Sequence, residues 1–127
     1  MTDLDPLELA ARWRSAVSVN DMTALTALYN PSAQIWTNLA DRTHPFPAHL
    51  ARIRQARSMC STWSYEDVRC EPLAAGYVSR HRVRVTVDGE QRETIAAVFV
   101  DILDGLIVDI REYLTPPRVI FSEQRSG

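Results

Sequence analysis

The sequence contains no lysine, and this absence shapes its charge balance. All 14 basic residues among the 127 are arginine, and 16 acidic residues outnumber them, which gives a formal net charge of −2. A domain that binds nucleic acid usually carries clustered cations and a positive net charge. The charge balance therefore argues against nucleic acid as a partner.

Long apolar runs are also missing. No stretch approaches the roughly 18 consecutive apolar residues that a membrane span needs. The opening residues, MTDLDPLELA, lack the basic and apolar regions of a signal peptide. We expect a cytoplasmic protein with no membrane partner.

Cysteine is scarce, and the two cysteines present form no recognisable motif. Cys60 and Cys70 lack both CxxC spacing and neighbouring paired histidines. Zinc sites and disulfide scaffolds normally show such patterns. We therefore predict two reduced thiols and no metal site.

The remaining composition is ordinary for a globular protein, with 46% hydrophobic and 24% charged residues. A chain of this length can bury a proper core as one domain. We predict that residues 1–127 form a single domain, with a core over about 6–115 and an irregular tail over 116–127.

Helical signals dominate the first half of the chain. An aspartate followed by a proline, and then apolar residues at helical spacing, predict a helix over 5–17. Similar patterns predict a second helix over 20–29 and a third over 48–59, with a short strand over 34–38 between them. Leu50 and Ile53 lie on one side of the third helix.

The pattern changes to strands in the second half. Four strand-like segments follow one another, WSYEDVRCEPL, YVSRHRVRVTV, QRETIAAVFVDIL and LIVDIREYL, and the last two connections each contain an Asp-Gly pair. Helices followed by an antiparallel meander are typical of an α+β fold.

One histidine in the second of these strands, His81, shares a face with valines, whereas Arg80 and Arg82 point to the other face. A lone histidine on an apolar face is usually a core residue with a hydrogen-bond partner. We predict that the arginines, together with Arg84, are solvated or contribute to a contact between subunits.

Hairpin loop lengths predict which residues face His81. A two-residue loop at Asp88-Gly89 places His81 opposite Ala96. For the next hairpin, a three-residue loop ending at Gly105 keeps apolar residues together better than a two-residue loop does, and it places Glu112 opposite Ala96. His81 and Glu112 would then converge over Ala96, as a carboxylate and an imidazole do in general acid-base catalysis.

The alternative is that these polar residues are structural. Asn38, His81 and Glu112, left unpaired in an apolar core, would each cost roughly 1 to 3 kcal/mol. We therefore expect them to face one another, water or a ligand.

The order of elements resembles the SnoaL-like branch of the nuclear-transport-factor-2-like superfamily, which includes ketosteroid isomerase, limonene-epoxide hydrolase and scytalone dehydratase. The resemblance covers about residues 6–115. It is carried by ARWRSAVSVNDMTALTALYNPSAQIWTN, by the Trp36-x-Asn38 pair, by His81 and by DGLIVDIREYL. It implies an α+β cone, in which a strongly curved mixed or antiparallel sheet wraps three N-terminal helices around a deep apolar pocket.

The resemblance also implies a function. A small-molecule enzyme of this type would carry out cofactor-free dehydration, isomerisation or cyclisation of an apolar polycyclic, terpenoid or polyketide-like substrate, as a homodimer. The catalytic residues would be His81, Glu112 and Asn38. The substrate would be bound by Trp13, Trp36, Trp63, Tyr65, Val98 and Ile110.

Two alternatives remain open. The chain could be a non-catalytic ligand-binding or dimerisation module of the same fold, which three tryptophans filling the pocket would favour. It could instead be an epoxide hydrolase, although the segment around His81 replaces the hydrolase's Arg-x-Asp.

Overall fold

The computed structural model describes residues 5–120. The helices are α1 (Pro6–Ser18), α2 (Met22–Thr26) and α3 (Phe46–Ser58). The strands are β1 (Tyr29–Thr37), β2 (Arg42–Pro45), β3 (Thr62–Leu73), β4 (Gly76–Val87), β5 (Glu90–Leu103), β6 (Leu106–Leu114) and β7 (Arg118–Val119). Within the described residues, no helix is long and apolar enough to cross a membrane.

The strands form one mixed sheet in the order β2-β1-β6-β5-β4-β3, with β7 beside β5. Strands β1 and β6 run parallel, and the other neighbouring strands are antiparallel. The sheet is open, and its inner face packs against α1 and α3. The predicted cone-shaped α+β fold is confirmed.

Apolar residues of the helices and of the inner sheet face form the core. Leu9 and Val17 of α1 are fully buried, as the helical spacing in the sequence indicates. They pack with Ile35, Val100 and Ile110 from three strands of the inner face. This core fills one end of the cone.

Several element boundaries differ from the prediction. Helix α2 ends at Thr26, because the chain already joins the sheet at Tyr29, which pairs with Ile107. Pro31 therefore lies inside β1 rather than after a helix. The register of β1 shifts between Tyr29 and Gln34, and such irregular positions tolerate a residue without a backbone N–H. Strands β2 and β7 arise in segments that were predicted to be irregular.

Both hairpins after β4 have two-residue loops. The loop at Asp88-Gly89 was predicted correctly and gives the pairing of His81 with Ala96. The second loop, Asp104-Gly105, also contains two residues with positive φ, of 52° and 78°, which is typical of a type I′ turn. The predicted three-residue loop is therefore wrong.

A bulge follows the second hairpin and changes the predicted pairing. Ile102 pairs with Ile107, but Asp101 pairs with Asp109, so Val108 is an extra residue in β6. The bulge brings apolar residues of β5 and β6 back to one face. Together with the shorter loop, it places Glu112 opposite Val98 rather than Ala96, so the predicted row of three residues is wrong, although the predicted face is correct.

The outer face of the sheet carries the predicted arginines. Arg82 and Arg84 both donate to Glu93, which is 3% exposed, and Arg118 of β7 donates to the same carboxylate. Hydrogen bonds from Arg118 and Arg84 lower the pKa of Glu93 to about 2. This cluster attaches β7 to the sheet. The homodimer stays a prediction.

Candidate functional site

A cavity of about 320 Å³ lies between the helices and the inner face of the sheet. His81, from β4, and Glu112, from β6, both line it. A larger depression of about 690 Å³ is bordered by outer-face arginines such as Arg80 and Arg82, and Asn38 and His81 also border it, but it is broadly open to solvent. Because catalysis and apolar binding require exclusion of water, the inner cavity is the candidate site.

Glu112 is the acidic group of this cavity. Burial raises the pKa of its carboxyl from 4.5 to about 7, and the guanidinium of Arg52 offsets part of the rise. Within residues 5–120, the Glu112 side chain makes no hydrogen bond or salt bridge. At neutral pH this carboxyl is therefore divided between its acid and base forms, which suits it to carry a proton.

His81 is buried in the cavity wall and neutral. Ser79 Oγ lies 2.9 Å from His81 Nδ1, and the ring of Tyr65 meets the imidazole edge-on with centroids 5.2 Å apart. Burial, reinforced by Arg14, lowers the pKa of His81 from 6.5 to about 4. No hydrogen bond joins His81 to Glu112 within the described chain, so the predicted imidazole-carboxylate pair is not formed.

Two aromatic residues predicted to bind substrate, Trp63 and Tyr65, line the cavity and carry buried polar atoms. Trp63 Nε1 and Tyr65 Oη are buried, and neither reaches a partner with hydrogen-bond geometry. Burial raises the pKa of the Tyr65 hydroxyl, and the nearby indole of Trp63 offsets part of this rise. The two groups lie close together, but their contact falls short of a hydrogen bond.

The other predicted binding residues divide between three places. Trp13 and Val98 line the cavity. Ile110 is buried beside a neighbouring space of about 20 Å³, large enough for about one water molecule. Trp36 lies on the outer face against Tyr113, with ring centroids 5.2 Å apart, so its predicted position in the pocket is wrong.

Asn38 is likewise outside the cavity. Its side-chain amide donates to the carbonyl oxygen of Leu114 at 3.1 Å, and its carbonyl accepts from the Leu114 N–H at 2.7 Å. The side chain thus continues the pairing of β1 with β6 beyond the last residue of β1. The expectation that Asn38 shares a face with His81 and Glu112 is wrong, because Ile35 and Thr37 occupy the inward positions of β1.

Sequence reasoning assigned no catalytic or binding role to one histidine at the site. His49 of α3 is 7% exposed and lines the cavity. Its Nε2 lies 3.3 Å from the hydroxyl of Tyr29, which accepts a hydrogen bond of 2.7 Å from Trp13 Nε1. Burial lowers the pKa of His49 to about 4. Its position four residues before Ile53, on the predicted apolar side of α3, is a signal that could have revealed it.

The mouth of the cavity carries a positive charge. Arg52 of α3 contacts His44 of β2, with Nη1 and Nε2 2.8 Å apart. Both residues line the cavity, and Arg52 is exposed.

Across the described residues, no group of three or more histidine, cysteine, aspartate or glutamate side chains is placed to hold a metal ion. Cys60 and Cys70 are free thiols.

No protein-family model matches this sequence, and no curated protein matches it significantly. Solved structures do match. Bal32a, from a soil-derived mobile gene cassette, is 18% identical with a TM-score of 0.74, over 86% of this chain and 88% of Bal32a.

Two further structures carry names that describe an activity. A provisionally named SnoaL-like polyketide cyclase from Shewanella putrefaciens is 11% identical with a TM-score of 0.75, over 86% of this chain and 88% of its own. An LEH-like epoxide hydrolase from M. tuberculosis is 11% identical with a TM-score of 0.73, over 87% of this chain and 82% of its own. The chain therefore has the SnoaL-like, nuclear-transport-factor-2-like fold that its sequence resembles.

Proposed function

We propose that the protein is a cofactor-free acid-base enzyme that acts on a small apolar molecule, with Glu112 as the proton carrier. One observation supports this most strongly. Glu112 lines a mainly apolar cavity, and its pKa of about 7 lets it both accept and return a proton at neutral pH. A carboxyl that served only to stabilise the fold would be expected to have a partner.

The cavity geometry revises the roles predicted from the sequence. His81, with a pKa of about 4, is a poor base at neutral pH, but a neutral imidazole can still hydrogen-bond to a substrate. With Nδ1 engaged by Ser79, its Nε2 is the atom that remains for a ligand. Asn38 has no part in the proposal, because both polar atoms of its side chain are bound to the backbone of Leu114.

The size and lining of the cavity support the proposed substrate class. A volume of about 320 Å³ suits a compact molecule of two or three fused rings better than an extended chain. Trp13, Trp63 and Tyr65 offer flat apolar surfaces. A polycyclic, terpenoid or polyketide-like compound that undergoes isomerisation, dehydration or cyclisation fits these features.

A non-catalytic binding module is less well supported. The tryptophans that reach the cavity, Trp13 and Trp63, form its walls and leave its interior open. Epoxide hydrolysis is a second candidate, because one matching structure is named as an LEH-like epoxide hydrolase. Glu112 as a base could activate a water molecule for that reaction.

Proton transfer can be tested with simple compounds. The purified protein would be incubated with 1-indanone and 2-tetralone in deuterated water, and with styrene oxide in ordinary water. Mass spectrometry would follow deuterium incorporation and diol formation. We expect deuterium incorporation above the buffer rate, and a loss of roughly 10²- to 10⁴-fold in Glu112→Gln.

Glu90→Gln provides the matched control, because Glu90 pairs with Arg92 outside the cavity. It should retain the wild-type rate. Diol formation without deuterium incorporation would favour the hydrolase. Equal rates in wild type and Glu112→Gln would remove the proposed role of Glu112. Native mass spectrometry of the same preparation would show whether an apolar ligand co-purifies.

A further inference from the structure

Three side chains form a directed hydrogen-bond chain behind the cavity wall. Trp13 Nε1 lies 2.7 Å from the hydroxyl of Tyr29, and that hydroxyl lies 3.3 Å from His49 Nε2. Tyr29 is 4% exposed, so water does not compete freely for its hydroxyl. These residues come from α1, β1 and α3, and the fold alone brings them together.

The direction of the chain follows from the chemistry of its first member. An indole N–H can only donate, so the oxygen of Tyr29 must accept from Trp13. The phenolic hydrogen of Tyr29 is then free to donate, and the neighbouring acceptor is His49 Nε2. In a neutral imidazole that accepts at Nε2, the ring proton is on Nδ1.

His49 Nδ1 has no hydrogen-bond partner within residues 5–120, and it is not among the fully buried polar atoms. Because the ring of His49 lines the cavity, this N–H is open to a ligand there. We propose that His49 Nδ1–H is the donor that binds the carbonyl oxygen of the substrate, with Tyr29 holding the ring in the tautomer that leaves this N–H free. This inference rests on the proposed function and assigns a further catalytic residue to it, for substrates that carry a carbonyl group.

The donor and the base complete one balanced step. The carboxylate of Glu112 takes a proton from the carbon next to the carbonyl, and the electron pair of that C–H bond moves to the carbonyl oxygen. His49 Nδ1–H stabilises the developing negative charge on that oxygen. Glu112 then returns the proton to carbon or oxygen, so no oxidant or reductant is needed.

A neutral donor is better suited to this site than a charged one. An imidazolium in the same cavity would attract the carboxylate of Glu112 and lower its pKa, which would weaken the base. The low pKa of His49, caused by burial and by Arg52, keeps the ring neutral at pH 7. Tyr29 is a positioning residue, since it acts on the substrate only through His49, whereas Trp13 also lines the cavity.

The tautomer can be measured directly. Nitrogen-15 NMR of protein labelled at histidine distinguishes a protonated ring nitrogen from an unprotonated one, and His49→Phe assigns the His49 signals. At pH 7 we expect Nδ1 to be protonated and Nε2 not. In Tyr29→Phe, which keeps the stacking on Phe46, we expect the two tautomers to mix. Tyr77→Phe, another buried tyrosine, should leave the tautomer unchanged.

Binding of the substrate oxygen has a separate readout. 1-Indanone labelled with carbon-13 at its carbonyl should show a downfield carbonyl shift when it binds to the wild type and to Glu112→Gln. The shift should be lost in His49→Phe. Tyr29→Phe should lower kcat for deuterium incorporation by roughly 10-fold or more, with a smaller change in KM, because a misprotonated donor fails mainly in the transition state.

Each result bears on the proposal. An Nε2-protonated His49 in the wild type, an unchanged tautomer in Tyr29→Phe, or a carbonyl shift that persists in His49→Phe would overturn it. Absence of any carbonyl shift with the wild type would also count against the substrate class. A carbonyl shift that depends on His49, observed without deuterium incorporation, would support His49 as the donor. It would refute the proton-carrying role of Glu112.

Discussion

His81 and Glu112 line the same cavity from strands two apart, but they stand in different rows of the sheet. His81 pairs with Ala96, whereas Glu112 pairs with Val98. The two side chains therefore do not form the hydrogen-bonded pair that their sequence positions suggested. Burial shifts the pKa of each residue separately. His81 is therefore a neutral imidazole, and Glu112 is a carboxyl that titrates near neutral pH.

The raised pKa of Glu112 should make the stability of the protein depend on pH. The folded state holds the proton from pH 4.5 up to about 7, whereas the unfolded chain has released it. The contribution of Glu112 to the free energy of unfolding is fully present below pH 4.5 and is lost as the pH rises through about 7. At about 1.4 kcal/mol per pKa unit, the loss is roughly 3 kcal/mol.

Glu112→Gln removes this titration. Urea unfolding should show that the variant gains stability relative to the wild type between pH 5 and pH 8, by up to roughly 3 kcal/mol. Glu90→Gln serves as a control, since Glu90 lies in a half-exposed ion pair. A constant difference between Glu112→Gln and the wild type across this range would show that the pKa of Glu112 is ordinary.

The lowered pKa of His81 acts in the opposite sense. The unfolded chain takes up a proton near pH 6.5, but folded His81 resists protonation until about pH 4. The contribution of His81 to the free energy of unfolding is therefore fully present above pH 6.5, and it is lost as the pH falls to about 4. Between pH 7 and pH 4, His81→Gln should lose roughly 3 kcal/mol less stability than the wild type does.

A matched variant at the mouth of the cavity, His44→Gln, should change the acid dependence less, because His44 is partly exposed whereas His81 is buried. Guanidinium unfolding at several pH values would measure both variants. Identical acid profiles for His81→Gln and the wild type would mean that the imidazole is freely protonated in the folded protein.

Asn38 should matter for stability more than for chemistry. Asn38→Ala removes two hydrogen bonds to the backbone of Leu114, so we expect a loss of roughly 1 to 2 kcal/mol in urea unfolding. Gln34→Ala, an exposed position in the preceding strand β1, should cost less. The deuterium-incorporation rate of folded Asn38→Ala should stay near that of the wild type. A fall of 10²-fold or more in this rate would show that Asn38 takes part in catalysis.

Arg57 should hold the end of α1 in place. Its guanidinium donates to the carbonyl oxygens of Val17, Ser18 and Cys60, and these include the last carbonyls of the helix. Arg57→Gln should therefore lower the free energy of unfolding by roughly 1 to 3 kcal/mol. Arg54→Gln is the control on the same helix. Equal unfolding midpoints for the two variants would show that the Arg57 contacts contribute little.

Much of the fold could be predicted because local pattern and tertiary structure agree. Helical spacing in the first half and alternation in the second both match the elements observed. The Asp-Gly pairs located the hairpins correctly. The bulge at Val108 could not be predicted, since it depends on β6 pairing with β5 on one side and with β1 on the other. The extra residue and the two-residue loop each shift the pairing by one residue, and together they move Glu112 from Ala96 to Val98.

The site was predicted less completely than the fold. Alternation in a strand leaves two choices of face, and Trp36 was assigned to the wrong one because Trp36-x-Asn38 resembles a pocket motif. His49 lay on the predicted apolar side of α3. Its importance depends on Tyr29 and Trp13, which are distant in sequence and meet only in the folded chain. Burial, which tunes the pKa values of His81 and Glu112, likewise follows from helix packing.

The central claim is that Glu112 titrates near neutral pH inside the cavity. Carbon-13 NMR of protein labelled at the glutamate side-chain carboxyl would measure this directly, with Glu112→Gln assigning the signal. We predict a titration midpoint of about 7 for Glu112. A midpoint near the ordinary value of 4.5 would contradict it.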